Sequence, residues 1–144
     1  MSEVIRVLHI EDDPDYLATV KDILDLRWKG RLEVVEFASG ILEARDKIAK
    51  LEEFAVGVIF LDNFLKGIEA GTALLRLIRR VSNEVVVVGA SSDKFPDQVD
   101  LDLYSYRGSF DEAMLKVIEI ARSRGFWYND GNKEELAKVG VKSH

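Results

Sequence analysis

The sequence predicts an α/β fold: a single, doubly wound, five-stranded parallel sheet with helices on both faces. Three observations predict it. Short apolar runs rich in β-branched residues alternate with stretches whose apolar side chains recur every three or four positions. Two runs, Val56 to Leu61 and Val85 to Val88, are almost continuously apolar, as strands buried on both faces are. The runs close on acidic, glycine or serine residues, the composition of the loops that follow strands.

The elements follow in order. Val4 to Ile10 reads as the first strand and closes on Glu11-Asp12-Asp13-Pro14. Asp13 is a good N-cap and Pro14 a good first helical residue. Leu17, Val20, Leu24 and Trp28 then make one helical face, broken by Lys29-Gly30-Arg31. Leu32 to Ala38 alternates as a second strand. After Ser39-Gly40, Ile41, Ala44, Ile48 and Leu51 line a second helix. Val56 to Leu61 is the third strand and closes on Asp62-Asn63; a third helix follows Gly71 with Leu75, Ile78 and Val81. Val85 to Val88 is the fourth strand, before Gly89-Ala90-Ser91-Ser92. Asp93 to Asp102 is polar, contains Pro96 and lacks an amphipathic period, so the fourth helix is reduced to one short piece at best. Leu103 to Tyr106 is read as a brief fifth strand. Ser109 to Glu112 forms a capping box for a last helix reaching about Arg124 and stopped by Gly125. Residues 1–125 thus read as one domain and 126–144 as a C-terminal tail, opened by the aromatic cluster Phe126-Trp127-Tyr128.

Composition narrows the function. At 144 residues, 47% of them apolar, the chain has the material for one cored domain. A net charge of −6 argues against a nucleic-acid partner, which calls for a basic face. The absence of cysteine excludes disulfides, zinc thiolates and thiol nucleophiles. Without a signal-like or membrane-length apolar segment, a cytoplasmic location off the membrane is expected. Of two histidines, His9 sits inside the first strand and His144 ends the chain, which disfavours a histidine triad or zinc site. Arg76, Arg79 and Arg80 cluster at a helix end, where cations complement the dipole, and read as a solvated face.

In open parallel sheets, ligands bind beyond the carboxyl ends of the strands, where strand order reverses. For five strands the flavodoxin-like order 2-1-3-4-5 is expected, which makes strands 1 and 3 neighbours about 4.8 Å apart. The residues just past those strands are Glu11, Asp12, Asp13 and Asp62. Helix capping accounts for Asp13 but leaves Glu11 and Asp12 without a structural role. Like charges held this close repel, and a hard cation relieves them; an oxygen-only donor set favours Mg²⁺.

At these same residues the chain resembles a known family. From roughly Val4 to Gly125 it resembles the receiver domains of two-component response regulators. The matching pieces are VLHIEDDPDYL, FASGILEA, VIFLDNFLKG followed by GTALLRLIR, and VVVVGAS. The resemblance implies Asp62 as phosphoacceptor, Asp12 as direct Mg²⁺ ligand and Glu11 as a ligand through water. It implies the backbone carbonyl of Phe64 as a further ligand, Tyr104 as the switch aromatic, and a phosphohistidine on a sensor histidine kinase or phosphotransfer protein as donor.

The departures are specific. Gly89 stands where the family has Thr or Ser, with Ser91 and Ser92 close behind; Arg107-Gly108 stands where it has Lys, usually before Pro. Arginine keeps the charge but presents a wider, planar fork. Lys66 replaces a proline common after the acceptor.

The leading expectation is a stand-alone receiver, not an enzyme, that passes its signal to a downstream protein by contact. The alternative is a pseudo-receiver, a binding module without phosphoryl transfer, which Gly89 and Arg107 favour. A third reading, a Mg²⁺-dependent phosphoryl-transfer or nuclease domain using Glu11 with Asp100 and Asp102, is weak, because Asp100 and Asp102 precede the expected fifth strand and so fall at the wrong end of the sheet.

Overall fold

The computed structural model describes residues 4–126. Its elements are β1 (Ile5–Ile10), α1 (Pro14–Arg27), β2 (Leu32–Ala38), α2 (Ile41–Ile48), β3 (Val56–Leu61), β4 (Phe64–Leu65), β5 (Ile68–Glu69), α3 (Gly71–Val81), β6 (Val86–Gly89), β7 (Leu101–Asp102) and α4 (Phe110–Ser123). Five strands form a parallel sheet in the order β2-β1-β3-β6-β7. With β4 and β5 set apart as a small hairpin, this is the expected 2-1-3-4-5 order.

Two apolar layers hold the sheet. Val20 and Leu24 of α1, Trp28 at its C-cap, and Met114, Val117 and Ile118 of α4 pack on Val7, Val58, Phe60 and Val88. Ala44 and Ile48 of α2 and Leu74, Leu75 and Ile78 of α3 pack on Leu8, Ile10, Ile59 and Leu61. Alternate residues of β1 and β3 therefore face opposite layers, which is why these strands carry no polar face. Phe126 joins the first layer. A Cβ on Gly57 of β3 would lie 2.7 Å from the Phe126 Cβ, so glycine there admits the ring. Trp127, Tyr128 and the rest of the tail lie outside the described residues.

The helix starts follow the sequence signals. Asp13 caps α1, accepting from the Asp15 N–H at 2.9 Å, with Pro14 in the first turn. Ser109 and Glu112 form the capping box of α4, and Gly125 at φ 83° follows it.

Three expectations are corrected. The fifth strand is Leu101–Asp102, not Leu103 to Tyr106. Leu103 still donates to the Gly89 carbonyl, but the Asp102 carboxylate then accepts from Tyr104 N–H and Ser105 Oγ and turns the chain away. Asp102 consequently pairs with Gly89 at the carboxyl end of the sheet, not at the opposite end. Arg79 does not belong to a solvated face: it donates to the Val85 carbonyl and to Asp100, while Arg76 and Arg80 are exposed. Residues 90–100 hold no helical turn, in line with a reduced fourth helix; Phe95 is buried there.

Asp100 clamps this irregular segment. It accepts from Arg79 at 2.9 Å, from Arg124 at 2.7 Å and from the Val87 N–H at 2.8 Å. Burial by itself would raise this carboxyl; the bonds from Arg124, Val87 and Arg79 outweigh it and hold it below the ordinary range. A carboxyl lowered on folding stabilises above its unfolded pKa, and that stability is lost as pH falls through the folded value.

Asp100→Ala should cost about 2 kcal/mol in urea denaturation, because it strips the shared partner from two part-buried guanidiniums. Lys21→Ala, which removes an exposed pair with Asp25, should change stability far less. Equal small losses would mean that the Asp100 clamp contributes no more than a surface pair.

Candidate functional site

Register places the site. Ile10 pairs with Leu61, Leu61 with Gly89, and Gly89 with Asp102, so one row runs across the carboxyl edge of the sheet. The next residues along β1 and β3 are Glu11 and Asp62. Glu11 N–H donates to the Ala38 carbonyl at 2.9 Å and Asp62 N–H to the Ile10 carbonyl at 3.1 Å, which fixes both backbones.

Glu11, Asp12 and Asp62 each present a carboxylate oxygen, all within 4.8 Å of one another. Glu11 is 5% exposed and Asp62 8%. They line a cavity of about 380 Å³ together with Tyr16, Phe64, Ser91 and Ser92. Asp12 accepts from the Lys66 N–H at 2.8 Å, and Glu11 from the Asp13 N–H at 3.1 Å. Asp62 Oδ1 accepts from Ser91 Oγ at 2.9 Å.

The electrostatics are those of crowded acids. Two unit charges about 5 Å apart repel by about 3 kcal/mol at an effective dielectric near 20. Burial first, then the neighbouring Asp62 and Asp12, push the Glu11 carboxyl up to about 8, against the Asp13 N–H. Tyr16 is raised by burial and by the Glu11 and Asp62 charges. The donor set fits a hard divalent cation: carboxylate oxygens only, close together, and held at a cost that positive charge would offset.

The other expected residues are placed differently. Gly89 lies beside the cavity, not in its lining, and a Cβ there would stand 3.0 Å from Asp102 Oδ1 and 3.1 Å from the Phe95 Cβ. The space for a larger residue is thus filled by Asp102 and Phe95. Tyr104 is 59% exposed, and its N–H is held by Asp102. Arg107 is exposed and does not line the cavity. His9 is a packed strand residue, buried between Tyr16 and Phe60 at ring distances of 5.7 and 5.6 Å. Asp100 and Asp102 do not join the acidic group; their carboxylates are spent on Arg79, Arg124 and backbone N–H groups.

Two features were not read from the sequence. Tyr16 lines the cavity, and its place in the first turn after the acids was the available signal. The second is the hairpin β4–β5. Lys66-Gly67, at φ 53° and 79°, make its two-residue turn, and a Lys-Gly step between apolar residues was a weak sign of it.

The arrangement defines a class: a doubly wound domain with an acidic, cation-suited cavity at the carboxyl ends of its central strands. Solved structures carry the comparison further. The chain superimposes on the response regulator domain of Thermotoga maritima CheB with a TM-score of 0.60 at 24% identity, over 84% of this chain and 96% of that one. It matches a LuxR-family two-component response regulator from Aurantimonas sp. SI85-9A1 with a TM-score of 0.63 at 17% identity, over 99% and 100%. A two-component response regulator from Cytophaga hutchinsonii matches with a TM-score of 0.60 at 20% identity, over 85% and 99%. No protein-family model matches the chain, and no curated protein does. The fold is that of response-regulator receiver domains. Among the described residues no helix is long and apolar enough to cross a membrane.

Two outcomes follow for the site. Without metal, stability should fall as pH rises from about 4.5 to about 8, because unfolded Glu11 ionises while the folded residue keeps its proton. Denaturation across this range should show that slope, Glu11→Gln should flatten it, and Mg²⁺ should oppose it. A flat wild-type profile would remove the crowded-acid account. Gly89→Ser should destabilise by about 1–2 kcal/mol in thermal or urea unfolding, since its Cβ meets Asp102 and Phe95; an unchanged midpoint would show that this space is open.

Proposed function

We propose that the chain is a receiver that accepts a phosphoryl group on Asp62, with Mg²⁺ held by Asp12, by Asp62, by Glu11 through water and by the backbone carbonyl of Phe64. The observation that carries this reading is the meeting of the Glu11, Asp12 and Asp62 carboxylates in one cavity at the ends of adjacent strands. When bound, the cation supplies the positive charge that incoming phosphoryl oxygens require. An Asp62 oxygen attacks phosphorus, the P–N bond of a phosphohistidine breaks, and the imidazole nitrogen leaves with the electron pair. The donor is a sensor histidine kinase or a phosphotransfer protein, and output passes to a downstream protein by contact. The chain acts as a cytoplasmic signalling domain, not a turnover enzyme. Residues 1–125 form the receiver-like unit and 126–144 a C-terminal tail, of which Phe126 packs on the core.

Ser91 supports acceptance without the family's hydroxyl. Its Oγ already donates to Asp62, so it is poised to donate to a phosphoryl oxygen. The link to Tyr104 is a different matter. Gly89 has no hydroxyl to move, Asp102 and Phe95 fill the space beside it, and Asp102 holds the Tyr104 backbone. The modified state is therefore weakly linked to Tyr104. The placement of Arg107 away from the cavity lining favours the second reading, a pseudo-receiver that binds partners without phosphoryl transfer.

Incubation with acetyl phosphate and Mg²⁺, followed by mass spectrometry, should add one phosphoryl group that Asp62→Asn lacks. Ser91→Ala should lower the yield severalfold, and NMR with beryllofluoride should show shifts at Asp62 and Ser91 with little change at Tyr104. Calorimetric Mg²⁺ titration should show binding that Asp12→Ala weakens at least about tenfold. Mg²⁺ binding without modification would favour the pseudo-receiver; absence of both would end the receiver reading.

A further inference from the structure

A second cavity lies away from the acidic site. It is a groove of about 500 Å³ between α2 and α3, walled at one end by β5. Its floor is aliphatic: Ile41, Ile68 and Leu77 line it, and Ile68 is 56% exposed. Arg45 of α2 and Arg76 and Arg80 of α3 line it as well.

Three other arginines of the chain are paired. Arg27, Arg79 and Arg124 each hold a carboxylate. Among the described residues, Arg45, Arg76 and Arg80 form no ion pair, and all three are exposed. Glu69 is the one acid in the lining. A local excess of cations on a chain with net charge −6 marks a face that attracts negative charge, while the rest of the molecule repels it.

We propose that this groove docks an acidic amphipathic segment of a partner protein, with aliphatic side chains on the floor and carboxylates on the arginines. Arg76 and Arg80 lie one turn apart, about 6 Å along the axis of α3. Carboxylates at i and i+4 of a partner helix repeat at the same spacing. Guanidinium and carboxylate also match as bidentate pairs. No aromatic side chain lines the groove to stack on a base, and a net charge of −6 on the chain opposes a long polyanion. An aliphatic floor rimmed by charge is the geometry by which grooves take amphipathic helices. The inference does not depend on phosphoryl transfer at Asp62.

The test uses the full chain and a fluorescein-labelled helical peptide of about 14 residues, with leucines along one face and glutamates flanking them. Controls are the same peptide with glutamine for glutamate and a labelled single-stranded oligonucleotide. Anisotropy should show saturable binding of the glutamate peptide and at least about tenfold weaker binding of the glutamine peptide. The double variant Arg76→Glu, Arg80→Glu should lose at least about tenfold, and Lys29→Glu, a charge reversal elsewhere on the surface, should lose little. In the wild type, amide shifts on adding the peptide should fall within Ile41 to Arg45 and Ile68 to Arg80, which keeps the test valid if the double variant misfolds. Equal affinity for both peptides, shifts outside these segments, or preference for the oligonucleotide would overturn the proposal.

Discussion

Three carboxylates at the end of two adjacent strands set the terms for the rest of this molecule. The register of β1 on β3 puts Glu11 beside Asp62, and Asp12 completes the group within 4.8 Å. Left to themselves these charges repel by several times thermal energy. Burial, with the neighbouring acids adding to it, pushes the Glu11 carboxyl up to about 8. The surroundings respond with donors: Lys66 N–H to Asp12, Asp13 N–H to Glu11, and Ser91 Oγ to Asp62. Each donor comes from a loop that the carboxylate thereby positions, so the binding cavity and the loop conformations are one structure. The hairpin β4–β5 is an example, because the Lys66 N–H that binds Asp12 belongs to its turn.

On the far side of Asp62 the sheet edge is organised by an acid of another kind. Asp102 bonds Phe95 N–H, Tyr104 N–H and Ser105 Oγ, and its side chain closes over Gly89. The glycine at position 89 has a physical ground: a small residue there is required by what packs beside it. Phe95, buried in a segment without helix, fills the remaining volume. The acidic cavity is thereby kept open while the space between Gly89 and Tyr104 is occupied.

Charge is also divided between faces. The acids gather at the carboxyl edge of the sheet, Asp100 pairs with both Arg79 and Arg124 within the framework, and Arg45, Arg76 and Arg80 line an aliphatic groove. The hairpin joins the two regions, since it leaves β3 at Asp62 and its second strand, β5, walls the groove. The arrangement sets two surfaces of opposite sign at either end of one short segment.

The sequence by itself determined the sheet, because the apolar periods of its strands and helices are local properties that admit one way of covering both faces. Asp13-Pro14, Ser109 with Glu112, and the continuous apolar runs of β3 and β6 announce their elements through side chains a few residues apart. The acidic group was legible for a related reason: once strand order was known, the residues following β1 and β3 had to meet. Only the tertiary structure decided what depends on contacts between distant segments. The fifth strand fell at Leu101–Asp102 because pairing to Gly89 and the Asp102 turn outweigh the apolar character of Leu103 to Tyr106. Arg79 and Arg80 are neighbours of the same type, yet one is locked to Asp100 and the other lines the groove, a difference set by the direction each takes from α3. That Ser91, and not a residue at position 89, reaches Asp62 is likewise a matter of where the chain turns after β6, and no local pattern encodes it.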